Sequence, residues 1–297
     1  MAKVTVLDGG MGRELLRIGA PFRQPEWSAL ALTEGPEWVV QAHRNFIDAG
    51  AEVITTNSYA IVPFHIGDDR FASEGRELAA LSGRLAREAA AMYEGVTVAG
   101  SLPPLFGSYR PDLFDAAAAP AIIDPLISGL SDYVDVWLGE TLSSLAEAHA
   151  IRAALDRSDA PAKPLWLSYY LHHEDLGFIA SGESVTETVG TSIDLGASAV
   201  MFNCSQAELI SAAIPLAVAA AKGRAQVGGY ANRFTASPEP GRQANNGLSN
   251  LRNELDPPTY CTLVTGWLAD GATIVGGCCG MTPDHIAAIA ALVHHTQ

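Results

Sequence analysis

Basic residues are scarce in this chain. Lysine and arginine number 18 among 297 residues, against 33 aspartates and glutamates, a formal net charge of −15 at pH 7 with a pI near 4.8. A protein this acidic is repelled by nucleic-acid phosphates and by anionic bilayer surfaces, which excludes both as expected partners. Long apolar runs are missing too. The most apolar stretch, LISAAIPLAVAAA at 209–221, is too short to span a bilayer and contains Pro215. The opening MAKVTVLDGG lacks the apolar run of a secretion signal. Cysteine is rarer still, with four in the whole chain. A disulfide framework is therefore excluded, and a cytoplasmic setting with free or metal-bound thiols is expected.

What is present is apolar and ordered. Hydrophobic residues make up 48% and charged residues 17%, a balance that suits a well-buried core. Short β-branched runs fall at 4–8, 52–57, 96–101, 134–140, 165–170, 198–204, 225–230 and 272–277. They are nearly continuously apolar, as strands buried on both faces of a parallel sheet are. Alanine- and leucine-rich helical stretches separate them, for example 35–50, with Pro36 near its start and Gly50 after its end, and 282–295, with Thr282 as N-cap. This alternation predicts a single (β/α)8 TIM barrel over 1–297, with a doubly wound open sheet as the alternative.

Barrel active sites lie at the C-terminal ends of the strands. Polar residues fall at those ends: Asp8, Thr56, Asn57, Glu140, Asn203, Asn232 and the cysteines Cys204, Cys278 and Cys279. Residues on alternate strands share a layer, so Asn57, Glu140, Cys204 and the Cys278–Cys279 pair are expected to face one space.

GGCCG at 276–280 poses its own question, because consecutive strand side chains point to opposite faces. Packing, a strained disulfide and a shared metal are the three readings. Glycines that let the backbone leave strand geometry, with Cys204 arriving from another strand, favour the metal. Three thiolates and one open position describe a zinc site; soft ligands disfavour magnesium and calcium. Zn²⁺ with three thiolates carries net charge −1, a poor Lewis acid but a good holder of a fourth sulfur as thiolate. The predicted chemistry is thiol alkylation. Cys261, inside a helical stretch, reads as packing. A zinc- or redox-sensing protein built on the same pair is the rival outside enzymology.

The ordered set LDGGMG (7–12), AGAEVITTNSY (49–59), GET (139–141), FNC (202–204) and GGCCGMTPDHI (276–286) resembles the homocysteine S-methyltransferase family over nearly the whole chain. The resemblance implies a homocysteine-binding barrel holding one zinc through Cys204, Cys278 and Cys279. It also implies Asp8 and Glu140 as holders of the amino acid's ammonium group, and methionine as product. Asn57, Asn203 and Tyr59 join them as candidate substrate-binding residues. The expected partners are small molecules, homocysteine and a methyl donor, and, in a homo-oligomer, further copies of the chain.

Within the family the donor is S-methylmethionine, S-adenosylmethionine, betaine or methylfolate. An acidic protein with a net-negative metal site suits a sulfonium, and S-methylmethionine is the leading expectation. Tyr59, Phe64, Phe106, Tyr109 and Tyr169 are candidates for cation–π contact with it. The segment after strand 3, GSLPPLFGSYRPDLF at 100–114, departs from the Gly-Pro-Tyr-Gly-type turn of many relatives. The polar stretch 231–258 reads as a lid over the donor; its Arg233, Arg242 and Arg252 are within reach of a donor carboxylate but read first as solvated loop charges. His172, His173, Glu174 and Asp175 form a cluster that a second metal would require, or that handles protons or faces solvent.

Overall fold

The computed structural model describes residues 3–235 and 249–296. Eight strands follow one another as β1 (Thr5–Val6), β2 (Val53–Thr55), β3 (Thr97–Leu102), β4 (Val136–Leu142), β5 (Leu165–Tyr169), β6 (Ala197–Asn203), β7 (Gln226–Ala231) and β8 (Ile274–Gly277). The α-helices of the described residues are α1 (Met11–Ile18), α2 (Ala29–Glu34), α3 (Pro36–Asp48), α4 (Pro63–Ile66), α5 (Asp68–Ala90), α6 (Ala119–Leu130), α7 (Leu145–Arg157), α8 (Val185–Asp194), α9 (Ala207–Ala221), α10 (Pro257–Ala269) and α11 (Pro283–Thr296).

All pairings are parallel and follow chain order from β2 to β8, and β8 pairs with β1. The last seam is thin. An isolated bridge joins Leu7 to Val53, flanked by Glu52 N donating to Val6 O at 2.8 Å and Asp8 N donating to Val53 O at 3.0 Å. The result is a closed (β/α)8 barrel, the architecture that the alternating pattern predicts. β1 and β2 are shorter than the apolar runs suggest, so Asp8, Thr56 and Asn57 stand in loops beyond the strand ends.

Local chemistry explains where helices begin. Pro36 opens α3, whose Val39, Val40, Phe46 and Ile47 are buried. Ser144 and Glu147 form a reciprocal capping box on α7, and the Asp256 carboxylate accepts from Thr259 N at 2.9 Å to start α10. The larger core lies between strands and helices, where Phe46, Trp137, Phe202 and Trp267 are buried. A smaller one fills the barrel itself with Leu7, Val53, Ala99, Leu138, Met201 and Ile274. Cys261 packs on the outer core, where burial pushes its thiol pKa up. No helix of the described residues is long and apolar enough to cross a membrane.

Candidate active site

The two adjacent cysteines are turned by a device slightly different from the one expected. Gly276 and Gly277 remain in β8, paired with Tyr230 and Ala231, and Cys278 N extends the ladder to Ala231 O at 2.9 Å. The chain then reverses over Cys278–Cys279–Gly280–Met281, closed by Met281 N donating to Cys278 O at 3.0 Å. Gly280 supplies the left-handed residue at φ 85°. The glycines before the pair serve close approach instead: a Cβ on Gly276 would meet Leu7, and one on Gly277 would meet Met281. The β1–α1 turn presses on the same reversal, since a Cβ on Gly10 would lie 2.7 Å from Cys278 O. Cys204 arrives from β6 in a left-handed conformation of its own, φ 53°, which swings its side chain out of strand alternation.

The three sulfurs lie within 4.8 Å of one another. Cys204 Sγ stands 3.0 Å from Cys278 Sγ and 3.7 Å from Cys279 Sγ. Tetrahedral zinc with thiolates at about 2.3 Å places sulfurs roughly 3.8 Å apart, so the cluster needs only a small expansion. Tyr109 Oη donates to Cys204 Sγ at 3.2 Å, and Asn203 Nδ2 approaches Cys278 Sγ at 3.9 Å. Cys204 ionises most readily, its pKa pushed down by hydrogen bonding with Cys278, Cys279 and Tyr109; the charge pushes the Cys278 and Cys279 thiols up. Three touching thiols sustain one thiolate by themselves, and a soft dication is what lets all three ionise. The donor set therefore fits a thiophilic metal.

Two buried carboxyls stand beside the sulfurs. Burial raises Asp8 to about 8, with Glu140 adding like-charge repulsion. Burial likewise raises Glu140 to about 7, with a further push from Cys204. Asp8 accepts from Thr55 N at 2.7 Å and Thr55 Oγ1 at 3.2 Å. Glu140 accepts from Ser101 Oγ and, at 3.5 Å, from Tyr230 Oη. Each oxygen keeps lone-pair capacity, and a cation between these groups would lower both pKa values.

Asp8, Glu140, Asn57, Tyr59, Cys204, Cys278 and Cys279 all line one cavity of about 480 Å3. Asn57 donates from Nδ2 to Ser28 O at 2.9 Å, while its buried Oδ1 has no partner among the described residues. Tyr59 Oη meets Ser108 Oγ at 2.8 Å. Asn203 is placed differently. It lies off the cavity lining, and its amide is engaged with Thr141 N at 2.9 Å, Thr141 Oγ1 at 2.8 Å and Ser168 Oγ at 2.8 Å. It shapes the turn at Thr141, whose φ is 59°. Asn232 donates from Nδ2 to Cys204 O and so holds that residue's turn.

The aromatic wall differs from the expected set. Tyr59 and Tyr109 line the cavity, but Phe64, Phe106 and Tyr169 do not. Tyr169 points outward to Ser192 Oγ at 2.7 Å on α8, and Phe106 packs edge-on against Phe114. Tyr170, one residue later, takes the expected place and lies tilted against Tyr109 with centroids 4.5 Å apart. Phe22, Trp27 and His65 complete the wall. Phe22 and Trp27 come from an irregular segment whose lack of periodicity left them without a sequence signal.

His172 and His173 stack at the cavity edge, centroids 5.2 Å apart. His172 Nδ1 accepts from Asp175 N at 2.9 Å and from Glu174 N at 3.3 Å. No metal-type grouping forms there among the described residues. Arg252 is committed to Glu208 and Glu254 at 2.8 Å each, and Arg233 Nε donates to Arg252 O at 2.9 Å, so neither lines the cavity. Arg242 and the rest of 236–248 in the expected lid fall outside the described residues, although Phe234, Thr235 and Ser249 line the cavity.

Comparison with known proteins agrees with this geometry. The family model described as homocysteine S-methyltransferase matches residues 5–293. Homocysteine S-methyltransferase of Escherichia coli is 28% identical over 97% of this chain and 94% of its own. Selenocysteine methyltransferase of Astragalus bisulcatus is 26% identical over 99% of this chain and 94% of its own. The metallated crystal structure of the E. coli homocysteine methyltransferase MmuM superposes with TM-score 0.80 at 26% identity, covering 98% of this chain and 96% of that one. With a cysteine cluster and two buried carboxyls at the mouth of a barrel that this family model spans almost end to end, the chain belongs to the homocysteine S-methyltransferase family.

Proposed function

We propose that this member of the homocysteine S-methyltransferase family takes its methyl group from a small sulfonium, S-methylmethionine, and that its metal is one zinc ion per chain held by Cys204, Cys278 and Cys279. The observation that carries this reading is the meeting of three sulfurs with two buried carboxyls in one cavity. Zinc held by these three cysteines would stabilise the substrate sulfur as a thiolate that stays nucleophilic.

The protein's own groups do the rest. Asp8 and Glu140 take the ammonium of homocysteine, whose positive charge offsets the burial that otherwise keeps them protonated. Asn57 Oδ1 offers that ammonium or the donor a further acceptor. Tyr109 donates to Cys204 Sγ and moderates its charge. Tyr59, Tyr109, Tyr170 and Trp27 give a sulfonium aromatic faces that need no counter-charge. The homocysteine thiolate attacks the donor methyl carbon opposite the leaving sulfur. One carbon–sulfur bond forms as another breaks, its electron pair neutralises the sulfonium, and two methionines result. Holding both reactants in line supplies much of the rate. The free thiols suit a reducing compartment, and we take the cytoplasm as the site of action.

The test is metal analysis with turnover of S-methylmethionine, S-adenosylmethionine and betaine, each labelled in the transferred methyl. Zinc near one equivalent and preference for S-methylmethionine are expected, and X-ray absorption should show three sulfur ligands becoming four with homocysteine. Full turnover by metal-stripped protein would overturn the zinc reading, and preference for betaine the sulfonium one.

A further inference from the structure

Arg13 is the one lysine or arginine on the cavity lining among the described residues. It sits in the first turn of α1 beside the Asp8–Gly9–Gly10 turn, where the helix dipole disfavours a cation. Nine other arginines, Arg17 and Arg252 among them, pair with a carboxylate. Arg13 pairs with none among the described residues, although the chain has an excess of acids. Its Nη2 donates to Ser249 O at 2.5 Å, and its guanidinium lies 5.6 Å from the Phe234 ring centroid. One N–H is thus engaged and the others of the fork remain to offer. Burial lowers the Arg13 pKa, and the nearby Cys279 opposes that shift.

This arrangement leaves a fixed cation, flattened against an aromatic ring, facing a cavity whose other charges are acidic. Arginine in that state matches a carboxylate with two parallel hydrogen bonds. Homocysteine occupies the depth of the site, its sulfur at the cysteines and its ammonium at Asp8 and Glu140. A donor approaching the thiolate from outside extends toward the mouth, where Phe234 and Ser249 hold Arg13. The Nδ1 of His172, another nitrogen-bearing group at this edge, is already engaged by the backbone N–H groups of Glu174 and Asp175.

We propose that Arg13 binds the carboxylate of the methyl donor and makes the enzyme selective for amino-acid sulfonium donors over sulfoniums lacking that carboxylate. This assignment rests on the sulfonium donor reading above.

The test compares S-methylmethionine with its carboxamide, which keeps the sulfonium and removes the negative charge. Native protein should prefer the acid by at least about tenfold in kcat/KM, the scale of a charge-assisted hydrogen bond. Arg13→Met should raise KM for S-methylmethionine and bring the two donors within about twofold of each other. Arg13→Lys should retain part of the preference, with the KM for homocysteine and the zinc content constant throughout. Equal loss on both donors, or a change confined to homocysteine KM, would overturn the assignment. Should the variants fail to fold, native selectivity decides: indifference to the carboxylate refutes it and a tenfold preference sustains it. If S-adenosylmethionine is the donor instead, the same comparison uses its decarboxylated form. Native protein inactive with every sulfonium refutes the donor reading and this assignment together; active but indifferent protein refutes this assignment alone.

Discussion

On β4, Leu138 and Glu140 project from the same side of the strand; so do Ala99 and Ser101 on β3, and Met201 and Asn203 on β6. The first of each pair belongs to the apolar filling of the barrel. The second belongs to a hydrogen-bonded polar layer one step nearer the mouth. Both layers are buried. The lower one gains from leaving water, whereas the upper one gives up hydration of carboxyls and thiols and recovers it only in part from its neighbours. One layer stabilises the barrel, and the other holds chemistry at a cost in stability.

That contrast can be broken most severely at the metal. Cys278→Ala or Cys279→Ser should abolish zinc binding and activity together while leaving the far-ultraviolet circular dichroism of the barrel intact; elemental analysis and a methyl-transfer assay check this. A lower-layer cut should do the reverse. Leu138→Ala should cost about 2–5 kcal/mol in denaturant unfolding, with the KM for homocysteine held within twofold. Next comes Glu140→Gln, which should weaken homocysteine by about 1.5–3 kcal/mol without lowering stability at pH 8. If Glu140→Gln destabilises the fold as much as Leu138→Ala does, the two layers are not functionally distinct.

The gentlest probe is pH. Asp8, at about 8 against an ordinary 3.8, and Glu140, at about 7 against 4.5, hold protons more tightly folded than unfolded. The folded state therefore carries more protons between about pH 4 and 8, and stability falls as pH rises through that window. Each carboxyl contributes at most about 1.4 kcal/mol per pH unit. In metal-free protein the Asp8→Asn, Glu140→Gln double variant should reduce the slope and leave the share of Glu147, which burial also raises to about 7; an unchanged slope would place the titration elsewhere. Homocysteine should bind more tightly as pH rises through 7–8, since its ammonium needs both carboxylates ionised.

The barrel and its cysteines were legible in the sequence because each has a pattern of its own. Alternating apolar runs give a period, and adjacent cysteines between glycines fit few other uses. Tyr169 and Tyr170 show where such reading ends. A strand's two faces differ by one residue, and nothing in LWLSYY says which tyrosine looks inward; pairing with α8 decides it. Asn203 stands at the right strand end, yet its amide is consumed by Thr141 and Ser168, partners remote in sequence. Phe22 and Trp27 reach the cavity from a segment with neither helical nor strand period. Arg13 hid inside a familiar motif, because only the fold reveals that it lacks an acidic partner among the described residues.

The thin seam between β1 and β2 gives the two carboxyls unequal freedom to change. Among the described residues the Glu140 carboxylate hydrogen-bonds to side chains alone, those of Ser101 and Tyr230, so a new residue there can be accommodated by altering those positions. Asp8 receives the backbone N–H of Thr55 where β2 ends and the seam is held by a single bridge. Any residue placed at Asp8 must therefore fasten the cylinder as well as greet the ligand. Acceptor specificity in this architecture is more evolvable from the Glu140 side than from the Asp8 side, and a laboratory library aimed at new acceptors should diversify the former and keep the latter.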